Sequence, residues 1–361
     1  MSAARVELHA LTGVRGIAAW AVVLYHIRLS LDWVPQGTID VLAKGYLAVD
    51  FFFLLSGFVI WMTWGTRLRE GGWSAAPAFL KKRIARIWPL HLVILASGIA
   101  LALLLAATGR HAPREFPFAE LPLHILLVQN WGFTDALAWN DPAWSISAEL
   151  GAYLAFPALA LAIDWRRMPS SGVIAAIAAL FVLLASVFAW NGASGLNTDI
   201  ARLGLIRCVL EFAAGTAIGA LWVRWRAAPN VPAIMAAVVA LSLAAATIAG
   251  LLPEPLGAPP AFAAALLMLA LTSNARGNPL DNRVLQYLGE ISYATYLGHF
   301  LLWFAFKLAF VSDANAVPPV LVALYLALVL ASSIALYHLV ERPAQCAING
   351  WSPRRLDPAT R

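Results

Sequence analysis

Apolar residues in this chain run on for about twenty positions at a time, the length a helix needs to cross a bilayer's hydrocarbon core. Ten such runs are predicted, at roughly 10–29, 46–66, 87–109, 143–163, 171–191, 203–223, 231–251, 259–273, 286–310 and 318–340. The eighth is short and bounded by Pro259 and Pro260. Segment 117–135 is apolar but broken by Pro117 and Pro122, so it is expected to lie in or re-enter the outer interface rather than cross. The largest inner loop, 67–86, groups its charges at both ends. Its middle, Trp73 to Leu80, is expected to lie on the membrane surface as a short helix.

Composition agrees with this pattern. Of 361 residues, 61% are hydrophobic and 12% charged, about half the charged share of a soluble domain. The expected fold is an all-α polytopic membrane protein of about ten spans, with one transmembrane domain over 1–345 and a short inner tail over 346–361. Met1–Ala10 lacks the basic, apolar, small-residue order of a cleaved leader, so the first run is expected to remain a span. The net charge of +6 implies no nucleic-acid partner, because the cations lie in short clusters between apolar runs. With an inner N-terminus, 18 Lys and Arg fall on the cytoplasmic side and 6 outside, which places both termini in the cytoplasm. Cys208 and Cys346 are too far apart in sequence to suggest a disulfide framework, and no metal-ligand spacing appears.

Ionisable residues inside spans are expensive and mark function. Arg15 and His26 are eleven residues apart on the first span, which puts both on nearly one face, about 16 Å apart along the axis. Arg15 falls at the inner end and His26 in the outer half. Spans two and four run inward, so Asp50 and Glu149 are expected at the depth of His26, where a carboxylate would fix the ring's tautomer and raise its basicity. At the inner mouth Arg15 gathers with Lys82, Arg83 and Arg86, and Arg83 and Arg86 share a helical face at i, i+3. Guanidinium groups so grouped suit phosphate. A phosphate-holding mouth one arm's length below a histidine fits a coenzyme A thioester entering from the cytoplasm. Arg207 and Glu211, four residues apart in the sixth span, read as an intrahelical ion pair, and Gly215 and Gly219 as close helix packing. Glu341 and Arg342 read as a structural lock at the cytoplasmic side.

Six segments in order carry a resemblance: LTGVRGIAAWAVVLYH, VDFFFLLSGFVI, KKRIARIWPLH, WSISAE, ISYATYLGH and a closing ERP. Together they resemble the acyltransferase family 3 membrane proteins, bacterial O-acyltransferases of surface sugars and other hydroxyl acceptors, over residues 10–343. The resemblance implies a cytoplasmic acyl-CoA donor, usually acetyl-CoA, as a co-substrate rather than a tightly bound cofactor. It also implies a saccharide or similar acceptor reached from the outer face of the inner membrane. It makes His26 catalytic, with Arg15 in the same motif, Arg83 and Arg86 in the basic motif and Glu149 as the acid of the Trp-Ser motif. Whether His26 carries the acyl group or deprotonates the acceptor stays open. Trp144, Ser147, Tyr293 and His299 are candidates for the tunnel or acceptor site, with Ser147 or Tyr293 as possible oxyanion donors. A proton-coupled transporter or flippase is the alternative, since polytopy and buried ionisable groups suit it too; the chain shows no internal duplication of the kind such proteins often carry.

Overall fold

The computed structural model describes residues 8–110, 112–275 and 277–350. Arg5, Arg276, Arg354, Arg355, Arg361 and most of the expected tail therefore lie outside the described residues. Every regular element among those described is helical. Ten helices of at least 18 residues form the bundle: α1 (His9–Ile27), α2 (Ala48–Gly71), α3 (Ala76–Ala107), α4 (Ala143–Ala162), α5 (Ser170–Trp190), α6 (Ile200–Trp225), α7 (Asn230–Ile248), α8 (Glu254–Thr272), α9 (Ser292–Phe310) and α10 (Pro319–Leu336). Eight continuous helical runs are long and apolar enough to cross a membrane, and one of them, 36–107, contains both α2 and α3. Only α9 falls short among the ten, because its inner half carries Ser292, Tyr293, Thr295, Tyr296 and His299. This all-α polytopic architecture is the expected one.

Two expectations at the inner surface need correction. The loop 67–86 is not a loop. Helix α2 continues to Gly71, a four-residue 3-10 turn (Gly72–Ala75) reverses the chain, and α3 starts at Ala76. Gly72, at φ +57°, takes the left-handed turn that a side chain would disfavour. No separate interfacial helix forms over 73–80. At 32 residues α3 is about 48 Å long, well beyond the hydrocarbon core, so Lys81, Lys82, Arg83 and Arg86 ride on its inner turns. Helix α8 likewise begins earlier than expected, at Glu254, and holds Pro259 and Pro260 within it.

Helix α6 is the buried centre of the bundle, in contact with α2, α4, α5 and α8, whereas α7 is mostly exposed. Its seam with α2 depends on glycine. A methyl at Gly57 would sit 2.0 Å from the Phe212 carbonyl oxygen, and one at Gly215 would sit 2.0 Å from that of Leu54. On the other side α1 packs on α9 and on the short helix Arg283–Glu290, where a methyl at Gly289 would meet the Thr12 carbonyl at 1.9 Å. Helices α3 and α4 close the space against α9 and each other.

The outer stretch between α3 and α4 re-enters the bundle, as its prolines suggested. It contains only a 3-10 turn (Phe118–Glu120) and a six-residue helix (Leu121–Leu126) among the described residues. It is pinned inside the bundle. His91 Nε2 lies 2.7 Å from the His124 carbonyl, Trp88 Nε1 donates to the Ile125 carbonyl, and Asn140 Nδ2 donates to the Leu297 carbonyl. His124 is buried there, and burial pushes its imidazole down to about 4.

Candidate active site

Helices α1, α2, α3, α4 and α9 bring a cluster of charged and hydroxyl side chains together in the half of the bundle where α1 begins. Arg15 Nη2 donates to Ser292 Oγ at 3.1 Å and lies within electrostatic reach of Arg86, Glu341, Glu149 and Tyr153. Arg86 pairs with Glu341, and its guanidinium carbon stands 5.3 Å above the Tyr293 ring. Tyr293 OH in turn donates to the Ile87 carbonyl at 2.6 Å, which fixes the ring beneath the guanidinium. Glu149 Oε1 accepts from both Ser56 Oγ and Tyr153 OH at 2.5 Å. Arg83 lies within electrostatic reach of Tyr153, and its Nε is buried without a hydrogen-bond partner among the described residues. Arg15, Ser56, Arg83, Arg86, Glu149 and Tyr293 are each half-buried, a polar cluster inside an otherwise apolar bundle. Three guanidinium groups face two carboxylates here, which leaves a net positive site for an anion.

Glu341 belongs to this cluster, and its partner there is Arg86. A π-helical turn over Tyr337–Glu341 interrupts the end of α10, and Glu341 there is 1% exposed. A buried carboxylate needs a cation, and Arg86 supplies it. Ser56, Tyr153 and Ser292 were also missed. Each reads as an ordinary small or aromatic helix residue until the helices are assembled.

Towards the other end of the bundle, His26 near the end of α1 meets His299 of α9. His26 Nδ1 is 2.9 Å from the Val22 carbonyl and 3.1 Å from His299 Nε2, and the ring centroids are 4.9 Å apart. His299 Nδ1 is 3.1 Å from the Thr295 carbonyl. Carbonyls only accept, so each neutral ring carries its hydrogen on Nδ1. The bare nitrogen of His26 is therefore Nε2, the one free to take a proton. Tyr25 and Phe300 flank the ring edge-on at 5.0 and 5.1 Å.

The carboxylates expected beside His26 are elsewhere. Asp50 is fully buried and held by Arg207, whose Nε and Nη2 donate to its two oxygens at 2.8 and 2.6 Å. Glu211 lies 3.7 Å from the same guanidinium, so the intrahelical pair exists but takes second place to the link between helices. The cause is the glycine seam, which draws α2 onto α6 and leaves Asp50 as the carboxylate closest to Arg207. Glu149 belongs to the inner arginine cluster instead, because the re-entrant segment lets α4 start deep in the bundle.

Trp144 and Ser147 each make a contact that ties helices and loop together. The Arg207 guanidinium carbon stands 5.6 Å over the Trp144 ring, and Ser147 Oγ accepts from the Asn130 backbone N–H at 3.1 Å. Ser147 thus pins the re-entrant segment. Ser145 is the serine that touches the polar wall, 2.8 Å from Tyr296 OH.

Comparison with known sequences decides the class. A family described as an acyltransferase domain matches residues 8–338, nearly the whole chain. The chain belongs to acyltransferase family 3. Among its relatives, the acyltransferase MdmB of Streptomyces mycarofaciens is 33% identical over 322 residues, 82% of this chain and 79% of that one. The exopolysaccharide production protein ExoZ of Rhizobium meliloti (strain 1021) is 28% identical over 319 residues, 83% and 89% of the two chains. Protein 2 in the picA locus of Rhizobium radiobacter is 35% identical over 153 residues, 39% of this chain and 75% of that one. No solved structure matches it. The protein is a multi-pass membrane acyltransferase.

Proposed function

We propose that this acyltransferase moves an acyl group, acetyl in the simplest case, from cytoplasmic acyl-CoA to a hydroxyl of a saccharide or similar acceptor at the outer side of the inner membrane. The observation that carries the reading is the pairing of two sites on one face of α1. Arg15 stands in a cluster of three arginines, and His26, about 16 Å further along the axis, offers a bare Nε2. Arg15, Arg83 and Arg86 suit the phosphates of coenzyme A, and the extended pantetheine arm spans the distance between the two sites. A relative concerned with exopolysaccharide production supports a saccharide as the acceptor.

The chemistry needs one base at the thioester. His26 Nε2 takes the proton of the acceptor hydroxyl while its oxygen bonds to the thioester carbonyl carbon. As the tetrahedral adduct collapses, the carbon–sulfur bond breaks and the proton held on His26 passes to the departing thiolate. The products are the O-acyl ester and free coenzyme A. The ring needs only one proton site for both transfers, so direct attack is chosen over an acyl-histidine.

The test is transfer of label. Inverted vesicles carrying the protein are given acetyl-CoA labelled in the acetyl group, and base-labile label is measured in the saccharide fraction. Wild type is expected to acetylate that fraction and His26→Gln to fail. Equal labelling by the two would overturn the role of His26.

A further inference from the structure

Resting on the acyl-transfer reading above, we propose that His299 is a positioning residue for His26, occupying the place beside a catalytic histidine that a carboxylate usually fills. Its Nε2 accepts the Nδ1–H of His26, holds the ring in the tautomer with Nε2 bare, and shares the positive charge once His26 has taken the acceptor's proton.

A histidine base works best with a partner on its second nitrogen that fixes the tautomer and steadies the imidazolium. Both carboxylates in reach by sequence are engaged, Asp50 by Arg207 and Glu149 by Ser56 and Tyr153. The side-chain acceptor that does face His26 Nδ1, at 3.1 Å, is an imidazole nitrogen.

That nitrogen is an acceptor by necessity. His299 Nδ1 is committed to the Thr295 carbonyl, so the neutral ring leaves a lone pair on Nε2. The Val22 carbonyl, part of the fixed α1 backbone, accepts from the same His26 hydrogen and favours the same tautomer. His299 stands on another helix, so it fixes the plane of the ring as well as its tautomer. It is itself rigid. His299 is 1% exposed, its carbonyl accepts from Tyr325 OH at 2.9 Å, and the Tyr296 ring lies against it at 6.3 Å between centroids.

The chemistry differs from that of a carboxylate partner in one respect. A carboxylate would place a fixed negative charge in the bundle, where it is costly without a cation. Two neutral imidazoles carry no charge at rest. When His26 gains a proton, the pair carries one positive charge in the shared Nδ1–H···Nε2 bond, and that charge leaves again with the thiolate.

The test compares His299→Leu and His299→Gln with wild type, using protein purified in detergent. Thiol release from acetyl-CoA reports turnover, with glycerol and methyl glucoside as hydroxyl probes. In His299→Leu kcat is expected to fall about 10- to 100-fold, by analogy with the loss on removing partners that orient metal-bound histidines. The KM for acetyl-CoA should stay at its wild-type value, because the arginine cluster is untouched. His299→Gln keeps an acceptor oxygen and should restore most of kcat, which a loss of packing would not explain.

A second readout needs no turnover. With histidine labelled by 15N in the ring, a coupling across the hydrogen bond should join His26 Nδ1 to His299 Nε2 and vanish in His299→Leu. Thiol release by wild type without that coupling would overturn the positioning role alone, as would wild-type kcat in the Leu variant. Coupling without thiol release from wild type would overturn the acyl-transfer reading, and this role with it.

Discussion

Arg207 on α6 grips Asp50 on α2 through both carboxylate oxygens, at 2.8 and 2.6 Å, with neither residue more than 1% exposed. Such a fork is a clamp between helices; removing Arg207 strands the Asp50 and Glu211 carboxylates in a dry interior, and removing Asp50 leaves Arg207 only the longer contact to Glu211 at 3.7 Å. Asp50→Leu and Arg207→Leu are each expected to destabilise by about 3–5 kcal/mol, and the double variant by clearly less than their sum. Thermal unfolding in detergent measures this. A normally folded but inactive Asp50→Leu would instead return Asp50 to the chemistry.

The seam between α2 and α6 should be equally intolerant of volume. Gly215→Ala drives a methyl onto the Leu54 carbonyl and should lower the melting temperature, by the equivalent of about 1–3 kcal/mol or more. Gly37→Ala, on an open surface, should leave it unchanged.

Arg83 and Arg86 lie one turn apart on α3, yet their substitution should fail in different ways. Arg86→Gln leaves Glu341 buried without its cation and is expected to lower the melting temperature of the unliganded protein. Arg83 has an Nε without a hydrogen-bond partner among the described residues. Arg83→Gln should leave stability intact and weaken coenzyme A binding about tenfold or more, the loss of one charge-assisted hydrogen bond. Titration calorimetry with free coenzyme A, alongside a melt, separates the two.

Asp141 precedes α4 in the re-entrant stretch, and burial pushes its carboxyl up to about 6. An acid whose folded value is raised favours the fold when protonated. That contribution is present below the unfolded value near 4 and is lost as pH rises through about 6. Asp141→Asn should therefore melt higher than wild type at pH 7.5, and the difference should shrink towards pH 4.5.

The bilayer-length runs made the bundle legible in the sequence, because lipid leaves a chain few alternatives to helices. The Arg15–His26 spacing was legible for the same reason, since one straight helix fixes it. Contacts between helices were not. The expectation that Asp50 and Glu149 flank His26 assumed helices starting at the membrane surface. The re-entrant segment and the α2–α6 glycine seam changed both depth and facing. His299 shows the limit most clearly. It appeared only as a candidate for lining the tunnel, and its bond to His26 depends on how α9 packs on α1.

The proposed division of labour holds coenzyme A at the arginines and leaves the chemistry to His26. Melting curves of wild type, Arg83→Gln and His26→Gln with coenzyme A or acetyl-CoA test it most directly. Wild type and His26→Gln should be stabilised alike, while Arg83→Gln loses most of the shift. A wild type that is folded yet unmoved by coenzyme A, acetyl-CoA and longer acyl-CoAs would contradict the account.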